Sequence, residues 1–436
     1  MSWLSNWNNY PIVEAEISNP YFTEEIPGLL SQGKPVIARG NGRCYGDASL
    51  GSKVISMLEL NHALLFNEVE GIFRCQAGML LSEILQIIMP KGWYLPVTPG
   101  TKFITIGGAL ASDIHGKNHH KEGSFADHVV SVKVLKPNGH VEECSAKLNP
   151  TLFWFTAGGM GLTGIILEVA IRLKRIESPF ITQRQVKAKC LDEIIEMFAE
   201  YSNYTYSVAW IDCLKRGKSF GRSILILGEH ATKEEANDRR LKQSFDIRVP
   251  FVFPSGILNP ITIKAFNAVF YTKNYKRIID SIVSSEKFFY PLDGILDWNR
   301  IYGRRGFIQY QFVVPKEIGK KAISEILKKI TEKGWGSFLA VLKAFGPGSV
   351  PLTFQMEGYT LALDIPMNKN LLKFLDLLDE MVRDFGGRIY LSKDARMKPE
   401  IFFATYPQGN DFAQYISSID PNGVIQSSLS NRLKLK

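Results

Sequence analysis

The chain is poor in cysteine: Cys44, Cys75, Cys144, Cys190 and Cys213 stand far apart among 436 residues. An odd number with no CxxC pair argues against a disulfide framework or a structural zinc site and fits a reducing compartment. No uninterrupted apolar run approaches the roughly 20 residues that span a bilayer. The opening MSWLSNWNNYPIVEAE lacks both the basic stretch and the apolar core of a signal peptide. A cytoplasmic location is the expectation. There is no arginine-rich arm and no zinc-finger spacing, so nucleic acid is not expected as a partner.

What the chain does carry is ample core material, 45% apolar and 22% charged, at a length that favours two domains. Its net charge of +9 favours anionic partners such as phosphates or a negatively charged membrane surface. Two glycine-spaced loops stand out. Residues 38–49 read ARGNGRCYGDAS, and residues 99–124 read PGTKFITIGGALASDIHGKNHHKEGS. Missing Cβ atoms let a backbone approach a polar ligand closely, and free N–H groups form anion-binding concavities. Two such loops point to one bound cofactor.

The spacing predicts a short amphipathic helix from Leu80 to Ile88, closed by Pro90 and Gly92, and a hairpin of 129–134 with 140–144 around Pro137-Asn138-Gly139. Gly159-Met160-Gly161-Leu162-Thr163-Gly164 satisfies the dinucleotide fingerprint G-x-G-x-x-G, but the alternation that follows is that of a strand, so a Rossmann unit is rejected. Close backbone packing beside a cofactor stays open for that loop. Beyond residue 178, helices are expected at 191–198, 318–330 and 371–385, and strands at 205–212, 223–227, 307–314 and 360–365. This is an α+β pattern with helices on one side of an antiparallel sheet. Residues 249–275 show no clean period and are read either as irregular buried structure or as a mobile lid over an apolar substrate tail.

The strings ARGNGRCYGD, PGTKFITIGGALASDIHGKNHH, GGMGLTGII, WNRIYG, GFIQYQFVVP and RIYLSKDAR resemble, in order and spacing, the flavin-dependent decaprenylphosphoryl-β-D-ribose 2′-oxidases of the vanillyl-alcohol-oxidase-type FAD superfamily. The resemblance runs from about residue 20 to 436. It implies a two-part FAD-binding domain over 1–178, a substrate-binding domain over 179–387, and a C-terminal return to the FAD domain over 388–436. It implies FAD contacts at Ala38, Arg39, Gly40, Asn41, Gly42, Arg43, Cys44, Tyr45, Gly46 and Asp47 in the first loop. In the second loop it implies Gly100, Thr105, Ile106, Gly107, Gly108, Ser112, Asp113, Ile114 and His115, and beyond it Ile166 and Tyr390. Many superfamily members tether FAD to a histidine in the first loop; here Arg43 holds that position, so the FAD is expected to be non-covalent.

The resemblance also makes Lys393 and His115 the catalytic candidates, and Trp210, Tyr302, Gln309, Gln311, Lys343 and Lys393 the substrate contacts. Alternation alone puts Gln309 and Gln311 on one face of their strand with Phe307 and Val313, opposite Ile308, Tyr310, Phe312 and Val314. A lysine desolvated beside a flavin would have a lowered pKa suited to polarising a hydroxyl. His115, His119 and His120 lack an acidic or cysteine ligand at good spacing, so no metal is expected. The sequence departs from the mycobacterial-type enzymes at Ala362, where they carry cysteine, and at Thr360, where asparagine is common. Inhibitors that capture that thiol are expected to fail here. The implied activity is FAD-dependent oxidation of the 2′-hydroxyl of a polyprenylphosphoryl-ribose-like lipid-linked pentose, with a separate NAD(P)H-dependent reductase completing an epimerisation to arabinose and with peripheral membrane contact. A soluble alditol or aldonolactone oxidase using oxygen, and a non-catalytic flavin- or sugar-binding protein, are the alternatives.

Overall fold

Two small sheets and one large one organise residues 2–31, 33–237, 239–241 and 247–436, which the computed structural model describes. The first sheet has the order Ser2–Ser5, Ile12–Ser18, Lys53–Ser56, Ile37–Arg39. Its last three strands run parallel. The central strand Lys53–Ser56 is buried along its whole length, which is why it does not alternate. The second sheet is antiparallel in the order Ala63–Asn67, Ile72–Gln76, Ile165–Arg172, Val129–Leu135, Val141–Cys144. The expected hairpin closes with Leu135 opposite Val141 and Gly139 at φ 84°. The G-x-G-x-x-G run leads into the strand Ile165–Arg172, so the pattern that excluded a Rossmann unit is the structure's own.

The third sheet has eight antiparallel strands, in the order Ile278–Ser284, Phe180–Ala188, Ser223–His230, Tyr206–Ile211, Val341–Phe345, Gly358–Pro366, Phe307–Pro315, Arg388–Ile389. The expected helices appear as Leu191–Glu200, Lys316–Lys333 and Leu371–Asp384. They cover one face, where Ile308, Tyr310, Phe312 and Val314 join Ile323, Ile326, Leu327, Leu375 and Leu378 in a single core. Each such side chain contributes roughly 1.5–3 kcal/mol of burial, so this face is fixed and the other is free for polar work. The sheet reaches Ile389, two residues past the boundary expected at 387.

The C-terminal segment returns to the first sheet. Val36 donates to Val424 O (2.8 Å) and Gln426 donates to Val36 O (3.0 Å). Arg432 joins Asp47 (2.8 Å) and Asp394 (2.9 Å) in a buried ion cluster.

Residues 249–275 are neither irregular nor buried throughout. Asn259 caps a helix Pro260–Lys273, accepting from the N–H groups of Ile261 (2.9 Å) and Thr262 (3.2 Å), and Pro260 takes the first turn where no N–H is needed. The helix was illegible because its outward face is as apolar as its inward one, which erases the 3.6-residue period.

Candidate active site

Both glycine loops open onto one cavity of about 350 Å³ that ends against the polar face of the large sheet. The N-terminal segment fastens the first loop. Arg39 donates to Ser5 O (2.8 Å) and Asn6 Oδ1 (2.5 Å), Asn6 Nδ2 donates to Gly46 O (2.6 Å), and Asn8 Nδ2 bridges Tyr45 O (3.0 Å) and Phe307 O (2.9 Å). In the second loop, Thr105 accepts from Gly108 N (3.2 Å) at the start of the helix Ile106–Ala111.

The walls suit a long, flat cofactor. Gly100 lines the cavity, and a Cβ there would meet no protein atom within 4 Å. Gly42 (φ 59°) and Gly161 (φ 78°) also line it, in a backbone conformation that favours glycine. The Arg43 guanidinium lies 4.0 Å from the Trp7 ring centroid, a cation stacked on the indole at the cavity wall. The donors and bare backbone present along this wall are those FAD requires.

At the far end stands a cluster of titratable groups. Lys393 Nζ lies 4.0 Å from the Tyr45 ring centroid, and burial, opposed by Asp364 and Cys44, lowers its pKa to about 8. Asp364 is buried, accepts from Gln309 Nε2 (2.5 Å), and is pushed up to about 7 by burial against the pull of Gln309 and Lys393. Its second oxygen has no hydrogen-bond partner among the described residues. Gln309 and Asp364 sit directly opposite one another on neighbouring strands, so the pair follows from register.

A second chain runs beside it. The Thr360 hydroxyl donates to Phe312 O (2.8 Å), which leaves its oxygen to accept from Gln311 Nε2 (3.2 Å). The same amide nitrogen reaches His115 Nε2 (3.0 Å), so the ring carries its proton on Nδ1, 3.5 Å from Lys343 Nζ. Burial, then Lys343, holds His115 well below the ordinary imidazole range. Lys343 falls to about 7 through burial and the charge of Lys393. His115 is thus a neutral ring between an amide and an amine.

Of the expected cofactor contacts, Ala38, Arg39, Gly40, Asn41, Gly42, Arg43, Cys44, Tyr45, Gly100, Thr105, Gly107, Gly108, Ser112, Ile114, His115, Ile166 and Tyr390 line the cavity. Gly46, Asp47, Ile106 and Asp113 do not. Gly46 packs against the backbone of Asp394, and Asp47 binds Arg432. Ile106 is core, and Asp113 accepts from Ala126 N (3.1 Å) and the Thr353 hydroxyl (3.1 Å). Among the expected substrate contacts, Gln309, Gln311, Lys343 and Lys393 converge on the cavity. Trp210 and Tyr302 stand behind its wall. Trp210 donates to Phe338 O (3.0 Å) and packs on Phe270, while Tyr302 stacks on Phe307 at 4.0 Å.

Asp364 and Trp298 also line the cavity, and so do Met160, Gly161 and Gly164 of the G-x-G-x-x-G loop, for which close packing beside a cofactor stayed open. The signal for Asp364 was present: it alternates with Ala362 and Thr360 on one strand, and those two already faced the site. His120 lies against Tyr204 O (2.9 Å) and His119 against the Phe345 ring.

Residues 29–145 match the family model described as FAD binding domain. Across 417 residues the chain is 38% identical to the decaprenylphosphoryl-beta-D-ribose oxidase of Mycolicibacterium smegmatis, covering 92% of this chain and 90% of that one. It is 29% identical over 369 residues to an uncharacterized protein of Streptomyces coelicolor, covering 81% of this chain and 100% of that one. Over 163 residues it is 30% identical to the D-lactate dehydrogenase of Anaerostipes hadrus, about a third of each chain. The first of these likenesses covers nine-tenths of both chains, and by it the chain belongs to the decaprenylphosphoryl-β-D-ribose oxidase family of FAD-dependent oxidoreductases acting on CH–OH groups.

Proposed function

We propose that the protein oxidises the 2′-hydroxyl of a polyprenylphosphoryl-ribose-like lipid-linked pentose to the 2′-keto sugar, the first half of an epimerisation to arabinose. The observation that carries this is the single cavity joining the glycine loops to the Lys393, Asp364, Gln309 and Gln311 cluster. Residues 1–178 with 388–436 hold the cofactor in this reading, and 179–387 close over it. FAD, when bound, supplies the hydride acceptor. The chain's own work is to place the sugar carbon and handle the hydroxyl proton. With a pKa of about 8, Lys393 is partly free amine at neutral pH and takes that proton as the C–H bond breaks. Asp364, near 7, stabilises the ammonium that results. Gln309 and Gln311 supply amide groups for ring hydroxyls, and the neutral His115 holds the Gln311 amide at a fixed angle.

The FAD is non-covalent in this proposal, since Arg43 cannot form the histidyl bond; acid precipitation should leave the flavin in solution. The keto product requires a second enzyme, an NAD(P)H-dependent reductase, to deliver hydride to the opposite face. No helix among the described residues is long and apolar enough to cross a membrane, and a cytoplasmic enzyme peripheral to the bilayer is the location we assign.

The test is an anaerobic absorbance spectrum before and after adding polyprenylphosphoryl-ribose. Bleaching of the flavin band supports cofactor, reaction and substrate class together. A band bleached by simple alditols but not by the lipid-linked ribose would transfer the chain to the soluble sugar-alcohol oxidases, and no flavin after reconstitution would leave a binding protein.

A further inference from the structure

The helix Pro260–Lys273 is built inside out. It buries Ile263 and the polar Asn267, whose Nδ2 donates to Asp212 Oδ1 (3.0 Å), while Ile261 (79% exposed), Val269 (66%) and Phe266 (45%) stand in solvent. Ile261, Ala265 and Val269 are spaced at i, i+4 and i+8, so they form one continuous stripe. The preceding loop adds Phe251 (60%) and Val252 (43%). An apolar stripe of this kind on a folded protein marks a contact surface.

The charge around it selects the partner. From 247 to 279 the sequence has Arg248, Lys264, Lys273, Lys276 and Arg277, and neither aspartate nor glutamate. Arg248 and Arg277 are engaged by Asp297 and Glu193, while Lys264 and Lys273 on the helix and Lys276 just past its end are exposed. A second copy of this face would bring like charges together, so self-association is opposed, whereas an anionic surface is complementary. Apolar side chains ringed by lysines describe an element that lies in the interface of a bilayer carrying acidic lipids.

The stripe is also continuous with the cavity wall. Phe270 packs on Trp210 (4.8 Å), the half-exposed Phe266 leans on Phe338 (5.5 Å), and Leu339, next in the chain, lines the cavity. We propose that the stripe on Pro260–Lys273, with Phe251 and Val252, docks the enzyme on an anionic phospholipid surface and sets the cavity beside it. The purpose of this placement rests on the lipid-linked substrate reading; the docking itself does not.

The experiment uses the full-length, FAD-loaded protein and sedimentation with vesicles of phosphatidylglycerol and phosphatidylcholine in equal parts, against phosphatidylcholine alone, at low and high salt, without substrate. The wild type should sediment with the anionic vesicles and be released by salt. Ile261→Glu with Val269→Glu should lower partitioning at least tenfold, and Lys264→Glu with Lys273→Glu and Lys276→Glu should abolish the preference for anionic lipid. Flavin absorbance and Tm should not change, because none of these side chains is buried. A wild type that ignores the vesicles overturns the proposal, as does unchanged partitioning of the variants. So does a dimer in light scattering, or capture of an acidic protein in place of lipid, that the same substitutions break. Turnover of a soluble short-chain polyprenylphosphoryl-ribose analogue is measured separately. If vesicle binding stands and the analogue is not oxidised, the sugar assignment fails and the docking face survives.

Discussion

Replacing Lys393 with methionine should separate catalysis from stability. The two side chains are of similar length, so packing changes little, but the charge goes. In the folded protein the ammonium is held at about 8 against an ordinary 10.5, mainly by burial. That difference corresponds to roughly 3 kcal/mol of penalty on the charged form, and because Lys393 still faces the cavity, screening there makes about 2 kcal/mol the working figure. The sign follows from the lowered pKa. Below pH 8 both folded and unfolded lysine are charged and the penalty is complete; it fades between 8 and 10.5 as the folded protein alone sheds its proton, and is gone above that range. Lys393→Met should therefore melt a few degrees above the wild type at pH 7, with the gap closing toward pH 10. The gain is trimmed because Asp364 loses the cation that lowers its own pKa and takes up a proton instead. Turnover should fall by about 10²–10⁴, the usual worth of a positioned base, with the flavin still bound. Anaerobic flavin reduction under single-turnover conditions and differential scanning fluorimetry across pH 7–10 make the two readings. Turnover within threefold of the wild type would remove Lys393 from the chemistry, and a lower Tm at pH 7 would refute the electrostatic account.

Gly100→Ala should leave the apoprotein's Tm unchanged, since the new Cβ meets no protein atom, yet weaken FAD binding, as flavin titration would register; unchanged affinity would place the cofactor elsewhere. Gln311→Leu strips the donor from His115 Nε2 and from Thr360 Oγ1, and should cost ~1–3 kcal/mol for the unpaired buried groups, read by denaturant unfolding and by the pH profile of turnover. Arg432→Leu leaves Asp47 and Asp394 without their shared cation and should cost ~3–5 kcal/mol, seen as a lower denaturant midpoint; an unchanged midpoint would mean the C-terminal return is held by its backbone pairing alone.

Much of this architecture can be read locally because alternation is a local signal. The strand Phe307–Pro315 shows it best. Period 2 separates Gln309 and Gln311 from Ile308, Tyr310, Phe312 and Val314, and the structure puts the first set on the cavity and the second under the helices. What stays hidden depends on pairing between distant segments. Asp364 becomes part of the site only because Gly358–Pro366 lies beside Phe307–Pro315 in one particular register. Asp47 reads as a loop residue beside the cofactor until Arg432, 385 positions away, claims its carboxylate. Trp210 and Tyr302 carry the right chemistry for a sugar, but an aromatic in a strand or tight turn packs equally well behind a wall, and here both do. The helix Pro260–Lys273 was lost for the opposite reason: with its outward face as apolar as its inward one, it has no period to read.

The two faces of the large sheet answer to different constraints, and this bears on how the enzyme can diverge. Positions 309, 311, 360, 362 and 364 alternate with residues sealed beneath the helices, so a change at any of them alters the cavity without opening a void in the core. Ala362 is one of these positions, a small side chain that leaves room in the cavity. A lineage holding this scaffold can move from one sugar to another by single substitutions at alternate positions on two neighbouring strands, and a protein engineer can follow the same route.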